Sequence, residues 1–232
     1  MKNKVIRNLW LIIINSITLS RLIGALILPF IFYKYGNSVT SLIILILYLS
    51  DAIDGFLARK LHLTTFFGCA MDAISDKLLN FVAFILLGIM YNIMFCPLIL
   101  EITVLLINYL IYRHGGNVQT SKIGRLKTII LDIFVILSFV VISLYALNIN
   151  IFTDNIIKLL INIFSIMIII VDFIAIIDYD KKYKSVKNNP KIKHIKYQNR
   201  KRKTINDIKH DLFDTEYYLK HKNESILKQF YK

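Results

Sequence analysis

The sequence predicts an all-α integral membrane protein with six transmembrane helices, an interfacial helix at the N-terminus and a basic C-terminal tail. Three observations lead to this prediction. Hydrophobic residues make up 56% of the 232 positions. Apolar runs of roughly 20 residues, the length that crosses a bilayer, recur along the first 180 positions. The formal charge of +14 is concentrated beyond them. We therefore expect one membrane domain at 1–180 and a tail at 181–232.

The N-terminal segment has two features of a secretory signal peptide, namely early basic residues and a following apolar run, Leu9–Ile14. No small-residue cleavage site follows, and the apolar run continues to Phe32. We interpret this segment as a short interfacial helix that leads into the first span. The six spans are predicted at 15–35, 40–59, 68–92, 95–112, 126–148 and 156–178.

The distribution of Lys and Arg predicts the orientation, because cytoplasmic loops carry the excess of these residues. The N-terminus, the loops after spans two and four, and the tail are all basic, whereas Met90–Pro97 contains no Lys or Arg. We expect a multi-pass protein of the plasma membrane with both termini in the cytoplasm.

The tail holds 16 Lys/Arg against 5 Asp/Glu. Such a segment beside a membrane is attracted to anionic headgroups, by about 1 kcal/mol per basic residue near the surface. No nucleic-acid recognition motif accompanies the charge, so we expect membrane lipids as the partner and no nucleic acid. Apolar residues between Ile205 and Phe230 are compatible with an amphipathic surface helix, and the stretch Asn188–Lys203 with a solvated, unstructured segment.

A fixed frame of polar and small residues interrupts the apolar sequence at the end of span two and the start of span three. Its pattern is D-x2-D-G-x2-A-R-x8-G-x3-D-x3-D. A carboxylate at membrane depth costs about 3 kcal/mol on insertion scales, so four of them together indicate a functional site. The eight positions are Asp51, Asp54, Gly55, Ala58, Arg59, Gly68, Asp72 and Asp76.

The spacing of the frame predicts that its carboxylates converge. Offsets of three, four and seven place the residues of span two on one helical face, and Asp72 and Asp76 share a face of span three. The short connection Lys60–Phe67 makes the two helices antiparallel neighbours. Four carboxylates in one cleft repel each other unless cations neutralise them, and oxygen ligands of this kind suit Mg2+ or Mn2+. Two such ions would clamp a diphosphate.

The small residues of the frame allow two interpretations. Gly55 and Ala58 leave a hollow in which a flat ring or sugar would fit, and they are equally suited to close helix packing. Arg59 supplies a planar fork for phosphate oxygens.

The frame resembles the signature of the CDP-alcohol phosphatidyltransferase family at all eight positions. That resemblance implies six transmembrane helices, a homodimer, a divalent metal site, and transfer of a phosphatidyl group from a CDP-linked lipid to an alcohol with release of CMP. It also implies roles for individual residues. Asp51, Asp54 and Asp72 would be metal ligands. Asp76 would be the general base and a ligand of a second ion. Asp51, Gly55, Ala58 and Arg59 would contact the cytidine diphosphate.

The basic loop between spans four and five is the candidate acceptor site. Ordinary positive-inside charge would account for its Lys and Arg residues, and so would a pocket for a phosphorylated acceptor. The stretch Ser121–Thr128 resembles the S-x-x-G-K-x-K-T segment of the bacterial phosphatidylglycerophosphate synthase branch, and the entry to span one, N-x-x-T-x-x-R at 15–21, is also similar to that branch. The candidate residues for the acceptor phosphate are Arg113, Lys122, Arg125 and Lys127.

The chain departs from that branch at several positions, including Arg125, where Lys is usual, and Ala73, where Pro is usual. We expect glycerol 3-phosphate as the acceptor, with inositol phosphate or an unphosphorylated alcohol as alternatives. A cation channel or transporter would also use acidic residues in a membrane, but it would need a polar path to the far side, and the outer halves of these spans are apolar.

Three further carboxylates lie within predicted spans, where ionisable residues are functional candidates by default: Glu101, Asp132 and Asp172. Asp132 follows Lys127 by about one turn and is predicted to orient it.

Overall fold

The structure is a computed structural model that describes residues 4–114, 121–147, 153–188 and 213–216. These residues form five long α-helices and one 3₁₀ turn, and they contain no β-strand. The helices are α1 (Lys4–Lys60), α2 (Phe66–Met90), α3 (Phe95–Arg113), α4 (Lys122–Ala146) and α5 (Asp154–Lys187), with the 3₁₀ turn at Asn92–Met94. The prediction of an all-α chain is confirmed.

All five helices are long and apolar enough to cross a membrane. Their outward surfaces are apolar as well, since large side chains such as Phe30, Ile99 and Phe173 are 75%, 61% and 54% exposed. Apolar surface of this extent is unfavourable in water and favourable against lipid tails. The helices therefore support the predicted membrane location.

Helix α1 is a hairpin of two helical halves. Gly36 has φ 74° and ψ −167°, outside the helical region, and separates residues 4–35 from residues 37–60. Thr18 contacts Asp54, and Arg21 contacts Asp51. The second contact lies three residues later in the first half and three residues earlier in the second half, so the two halves run antiparallel. The first half is continuous from Lys4, so a separate interfacial helix before span one is not confirmed.

A tight reversal joins the second half of α1 to α2. His62 adopts a left-handed conformation with φ 54°, and the Leu63 amide donates to the Ala58 carbonyl at 2.9 Å, as in a Schellman motif. Thr65 then caps α2, because its hydroxyl accepts a hydrogen bond from the Gly68 amide at 3.1 Å. The two helices that carry the aspartate frame are therefore antiparallel neighbours, as predicted.

The described chain divides into two compact units. The first contains the described residues up to Ile31 together with Ile43–Val82, and it holds the whole aspartate frame. The second contains Phe32–Leu42 and the described residues of Ala83–Gln198, and it holds the basic residues predicted to bind the acceptor. A buried cluster of Val104, Ile111, Ala175 and Tyr179 joins α3 to α5 within the second unit.

Helix α5 extends past the domain boundary that we predicted after residue 180, because it ends only at Lys187. Apart from Asn188 and 213–216, the remainder of the predicted tail lies outside the described residues. Apart from 213–216, the predicted amphipathic helix falls in that part of the chain.

Candidate active site

The four aspartates of the frame surround one guanidinium group in the first unit. Arg21 Nη1 pairs with Asp51 Oδ1 and lies 3.6 Å from Asp54 Oδ2. Arg21 Nη2 lies 2.7 Å from Asp72 Oδ1 and 3.1 Å from Asp76 Oδ1. The two acidic helical faces therefore meet at a common depth, with an arginine from the first half of α1 between them.

The site has a closed side and an open side. The side chains of Arg21 and Asp54 are 0% and 2% exposed, whereas those of Asp51, Asp72 and Asp76 are 37%, 44% and 43% exposed. Three carboxylates are thus accessible to a ligand from outside, while Asp54 lies at the back of the cleft. Such an arrangement suits a site that must admit and release substrates.

Two hydroxyl groups complete the back of the cleft. Thr18 donates a hydrogen bond to Asp54 Oδ2 at 2.9 Å, and Arg21 Nε donates to the Ser75 hydroxyl at 2.8 Å. Asn15, Thr18 and Arg21 were recognisable in the sequence only as part of the family resemblance, and their place in this site was not predicted. Their spacing of three residues could have indicated a shared role, because it places an arginine and two polar side chains on one face of an apolar helix.

A pocket of about 160 Å³ adjoins the carboxylates. Arg59 lies across Gly55, where a Cβ atom would come within 3.2 Å of its guanidinium. At Gly68 a Cβ atom would meet the side-chain oxygens of Asn15 and Thr65, each at 3.2 Å. Six positions of the frame line this pocket: Asp54, Gly55, Ala58, Arg59, Gly68 and Asp72.

The donor atoms of the cleft fit a hard divalent cation. Ligand oxygens of Asp51, Asp72 and Asp76 all lie within 4.8 Å of one another. Asp54 Oδ1 is buried and has no hydrogen-bond partner among the described residues. Four carboxylates against one guanidinium leave an excess of negative charge, and oxygen-only ligand sets of this kind are typical of Mg2+ and Mn2+ sites.

The predicted acceptor residues of the second unit differ in their surroundings. Arg113, the last residue of α3, and Arg125, in the first turn of α4, are both exposed. Lys122 is the first residue of α4. Lys127 is 2% exposed, and its ammonium nitrogen lies 2.5 Å from Glu101 Oε1 and 3.3 Å from Asp172 Oδ1. Sequence reasoning predicted Asp132 as the residue that orients Lys127, and it did not predict these two ion pairs.

At the start of α4, Ser121, Gly124 and Lys127 follow one another at a spacing of three residues. Ser121 caps the helix by accepting a hydrogen bond from the Gly124 amide at 3.0 Å. Gly124 faces α5, where a Cβ atom would come within 2.2 Å of the Tyr179 hydroxyl oxygen. Ser121, Gly124 and Lys127 therefore lie on the face of α4 that packs inside the unit.

Comparison with known proteins agrees with this geometry. The model of the CDP-alcohol phosphatidyltransferase family matches residues 11–171, a stretch that contains the arginine and all eight positions of the frame. The chain belongs to the CDP-alcohol phosphatidyltransferase family.

Similar proteins from Aquifex aeolicus, Wigglesworthia glossinidia brevipalpis and Yersinia enterocolitica share the name CDP-diacylglycerol–glycerol-3-phosphate 3-phosphatidyltransferase. The chain is 29% identical to the protein of that name from Aquifex aeolicus over 177 residues, 72% of this chain and 93% of that protein. It is 39% identical to the Wigglesworthia glossinidia brevipalpis protein over 79 residues, 32% of this chain and 42% of the relative. It is 28% identical to the Yersinia enterocolitica protein over 127 residues, 51% of this chain and 68% of the relative.

Proposed function

We propose that this protein transfers a phosphatidyl group from CDP-diacylglycerol to sn-glycerol 3-phosphate and releases CMP, as a step of phospholipid biosynthesis. The observation that carries the proposal is the convergence of Asp51, Asp54, Asp72 and Asp76 beside a pocket lined by the other residues of the same frame. The names of the Aquifex, Wigglesworthia and Yersinia relatives support the choice of donor and acceptor.

For the donor, we assign the pocket beside the carboxylates to the cytidine diphosphate. Gly55 and Ala58 present little side chain, so a ring or sugar can approach the helix backbone. Arg59 is exposed at the pocket wall, where its planar fork suits a diphosphate oxygen pair. Asp51 contributes to the same end of the site, and the lipid chains of the donor remain in the bilayer.

For the metal, we assign Asp51, Asp54 and Asp72 as ligands of Mg2+ or Mn2+, with Asp76 contributing to a second ion. When bound, such cations shield the phosphate oxygens and stabilise the charge that develops as the phosphorus–oxygen bond to CMP breaks. The support for this assignment is the oxygen-only donor set and the buried, unpartnered Asp54 Oδ1.

For proton transfer, we assign Asp76 as the general base. An alcohol is a weak nucleophile, so a carboxylate must take its proton as the new phosphorus–oxygen bond forms. Asp76 is 43% exposed, which makes it accessible to an incoming hydroxyl group. The hydroxyl proton passes to Asp76, the oxygen bonds to phosphorus, and CMP leaves with the electron pair of the broken bond.

For the acceptor phosphate, we assign Arg113, Lys122 and Arg125. Arg113 and Arg125 are exposed, and α4 begins at Lys122, where the positive end of the helix dipole also favours an anion. Lys127 was predicted with this group. Its ammonium group pairs with two buried carboxylates, so we do not assign it to the acceptor phosphate.

We also propose six membrane crossings, with each half of α1 crossing once. A continuous helix of 57 residues would be about 86 Å long. The hydrocarbon core of a bilayer is only about 30 Å thick. The reversal at Gly36 supports two crossings in place of one. The pattern of basic residues supports cytoplasmic termini in the plasma membrane, and the family resemblance supports a homodimer.

The direct test uses purified protein in lipid nanodiscs with CDP-diacylglycerol, a divalent cation and one labelled acceptor at a time. Glycerol 3-phosphate, inositol phosphate, glycerol and inositol form the acceptor series, and CMP release and label in lipid are measured together. We expect both signals with glycerol 3-phosphate and neither after chelation of the metal. Label incorporation from a free alcohol, with none from glycerol 3-phosphate, would overturn the acceptor assignment.

A further inference from the structure

Three helices of the second unit each contribute one charged side chain to a buried cluster. Lys127 of α4 lies between Glu101 of α3, at 2.5 Å, and Asp172 of α5, at 3.3 Å. The three side chains are 2%, 5% and 0% exposed. Among the lysines whose burial the structure describes, Lys127 is the most deeply buried.

The cluster contains two carboxylates and one ammonium group, so its stability depends most on the ammonium. Loss of one carboxylate would still leave a matched pair, whereas loss of Lys127 would leave two like charges facing each other out of water. The Lys127 side chain is only 2% exposed, so a phosphate could reach its ammonium group only if the side chain moved away and left both carboxylates unpaired. The geometry is therefore unfavourable for direct phosphate binding by Lys127.

Arg125 lies in the same part of α4 as Lys127 but on the opposite, exposed side of the helix. Arg125 lies two positions before Lys127, which corresponds to about 200° around a helix. Arg125 is exposed and Lys127 is buried, as this angle requires. The depth and rotation at which Lys127 is held therefore determine where the Arg125 guanidinium is presented.

We propose that Lys127 is a positioning residue, whose ion pairs to Glu101 and Asp172 lock α4 to α3 and α5 and thereby place Arg125 for the acceptor's phosphate. The inference rests on the proposed function, because it takes Arg125 as a phosphate ligand. Ser121 and Gly124 lie on the same inward face of α4 as Lys127. Ser121 caps the helix and Gly124 packs against Tyr179, so both residues favour the same rotation of α4.

The test compares Lys127→Met with the triple variant Glu101→Gln, Lys127→Met, Asp172→Asn, in which the cluster is neutral and nearly isosteric. A misplacement of about 1 Å can cost up to about 100-fold in rate, so we expect Lys127→Met to raise the KM for acceptor at least about tenfold, with the KM for donor unchanged. The triple variant should return the acceptor KM to within about threefold of wild type, because side chains of similar size keep the three helices packed together and no buried charge is left unpaired.

Arg125→Gln provides the matched control, and it should raise the acceptor KM both in wild type and in the triple variant. A direct phosphate ligand would behave differently, since removing the two carboxylates could not replace its ammonium. A folded triple variant with an acceptor KM as high as that of Lys127→Met would overturn the proposal. So would an unchanged acceptor KM in Lys127→Met.

Thermal stability provides a second measurement if Lys127→Met does not fold. The triple variant should then melt well above Lys127→Met, and a triple variant that is no more stable than Lys127→Met contradicts the ion-pair argument. If wild type shows no turnover with glycerol 3-phosphate, the acceptor assignment fails by itself, and the same variants are compared with the acceptor that is turned over.

Discussion

Arg21 holds the acidic cleft together through contacts with all four aspartates of the frame. Replacing it by Met keeps an unbranched apolar stem and removes the guanidinium group, which leaves four carboxylates with no internal cation. Breaking a buried ion pair by removing one partner typically costs 3–5 kcal/mol, so we expect Arg21→Met to lower stability by about 3 kcal/mol in the presence of a chelator. Thermal unfolding in detergent measures the change.

Arg59 provides the control for Arg21, because it is an exposed arginine in the frame that contains the four aspartates. We expect Arg59→Met to change stability by no more than about 0.5 kcal/mol, as is usual for a surface substitution, while raising the KM for donor. If Arg21→Met were as stable as Arg59→Met, the four-aspartate cluster would not depend on its internal cation.

Asp76 allows the chemical step to be separated from binding. Asp76→Asn keeps the shape of the side chain and one oxygen that can still contact a metal ion, and it removes the basicity. General base catalysis contributes typically 10²–10⁴-fold, so we expect turnover to fall by about 100-fold or more while the affinity for a CDP ligand changes little. Single-turnover CMP release and equilibrium binding of labelled CDP are the two measurements. An Asp76→Asn protein with normal turnover would show that another group accepts the proton.

Packing between helices depends on small residues where the helices meet. Among the described glycines, Gly124 is the one at which an added Cβ atom would make the shortest contact. A Cβ atom at this position would lie 2.2 Å from the Tyr179 hydroxyl oxygen and 3.1 Å from the nearest ring carbon. The rigid ring cannot move without disturbing the core cluster around Val104 and Ala175. We expect Gly124→Ala to cost about 1–3 kcal/mol, the usual cost of overpacking. Thermal unfolding measures the loss.

Tyr179→Phe separates the hydroxyl clash from a general effect of alanine at Gly124. The substitution removes the atom that lies closest to the added methyl group. Gly124→Ala should therefore cost less than half as much in the Tyr179→Phe background as in wild type. Equal costs in the two backgrounds would show that the close approach to the hydroxyl is not the cause.

At the scale of the whole molecule, the parts predicted from the sequence are those that depend on local spacing. Offsets of three and four residues fix which side of a helix a residue lies on, so the convergence of Asp51, Asp54, Asp72 and Asp76 followed from the pattern and from one short connection. The position of Arg21 required a further fact, the reversal at Gly36, because it lies 30 residues before Asp51 in the chain.

The buried cluster of the second unit shows the limit of such reasoning. Glu101, Lys127 and Asp172 are each recognisable as charges in or beside apolar spans. Their pairing depends on how three helices rotate and pack, which no local pattern specifies. Sequence proximity indicated Asp132 as a residue that orients Lys127, and this stays a prediction. Packing brings Glu101 and Asp172 to Lys127 from separate helices.

The C-terminal segment after Asn188 carries 12 Lys/Arg and 5 Asp/Glu. Basic residues beside a membrane gain about 1 kcal/mol each from anionic headgroups, and salt screens this attraction. Truncation after Asn188 should therefore retain turnover and lose the extra thermal stability that anionic lipids confer at low salt. Unfolding in nanodiscs of neutral and of anionic lipid, at about 0.05 M and 0.5 M salt, measures the difference.

A full-length variant in which every Lys and Arg of residues 191–203 is replaced by Gln is the matched control, because it changes charge and keeps length. If attraction to lipid is the cause, this variant should lose most of the same stabilisation as the truncated protein. A truncated protein that inserts and folds but has no turnover would show instead that the segment takes part in the reaction, since electrostatic attachment alone affects stability and not the chemical step.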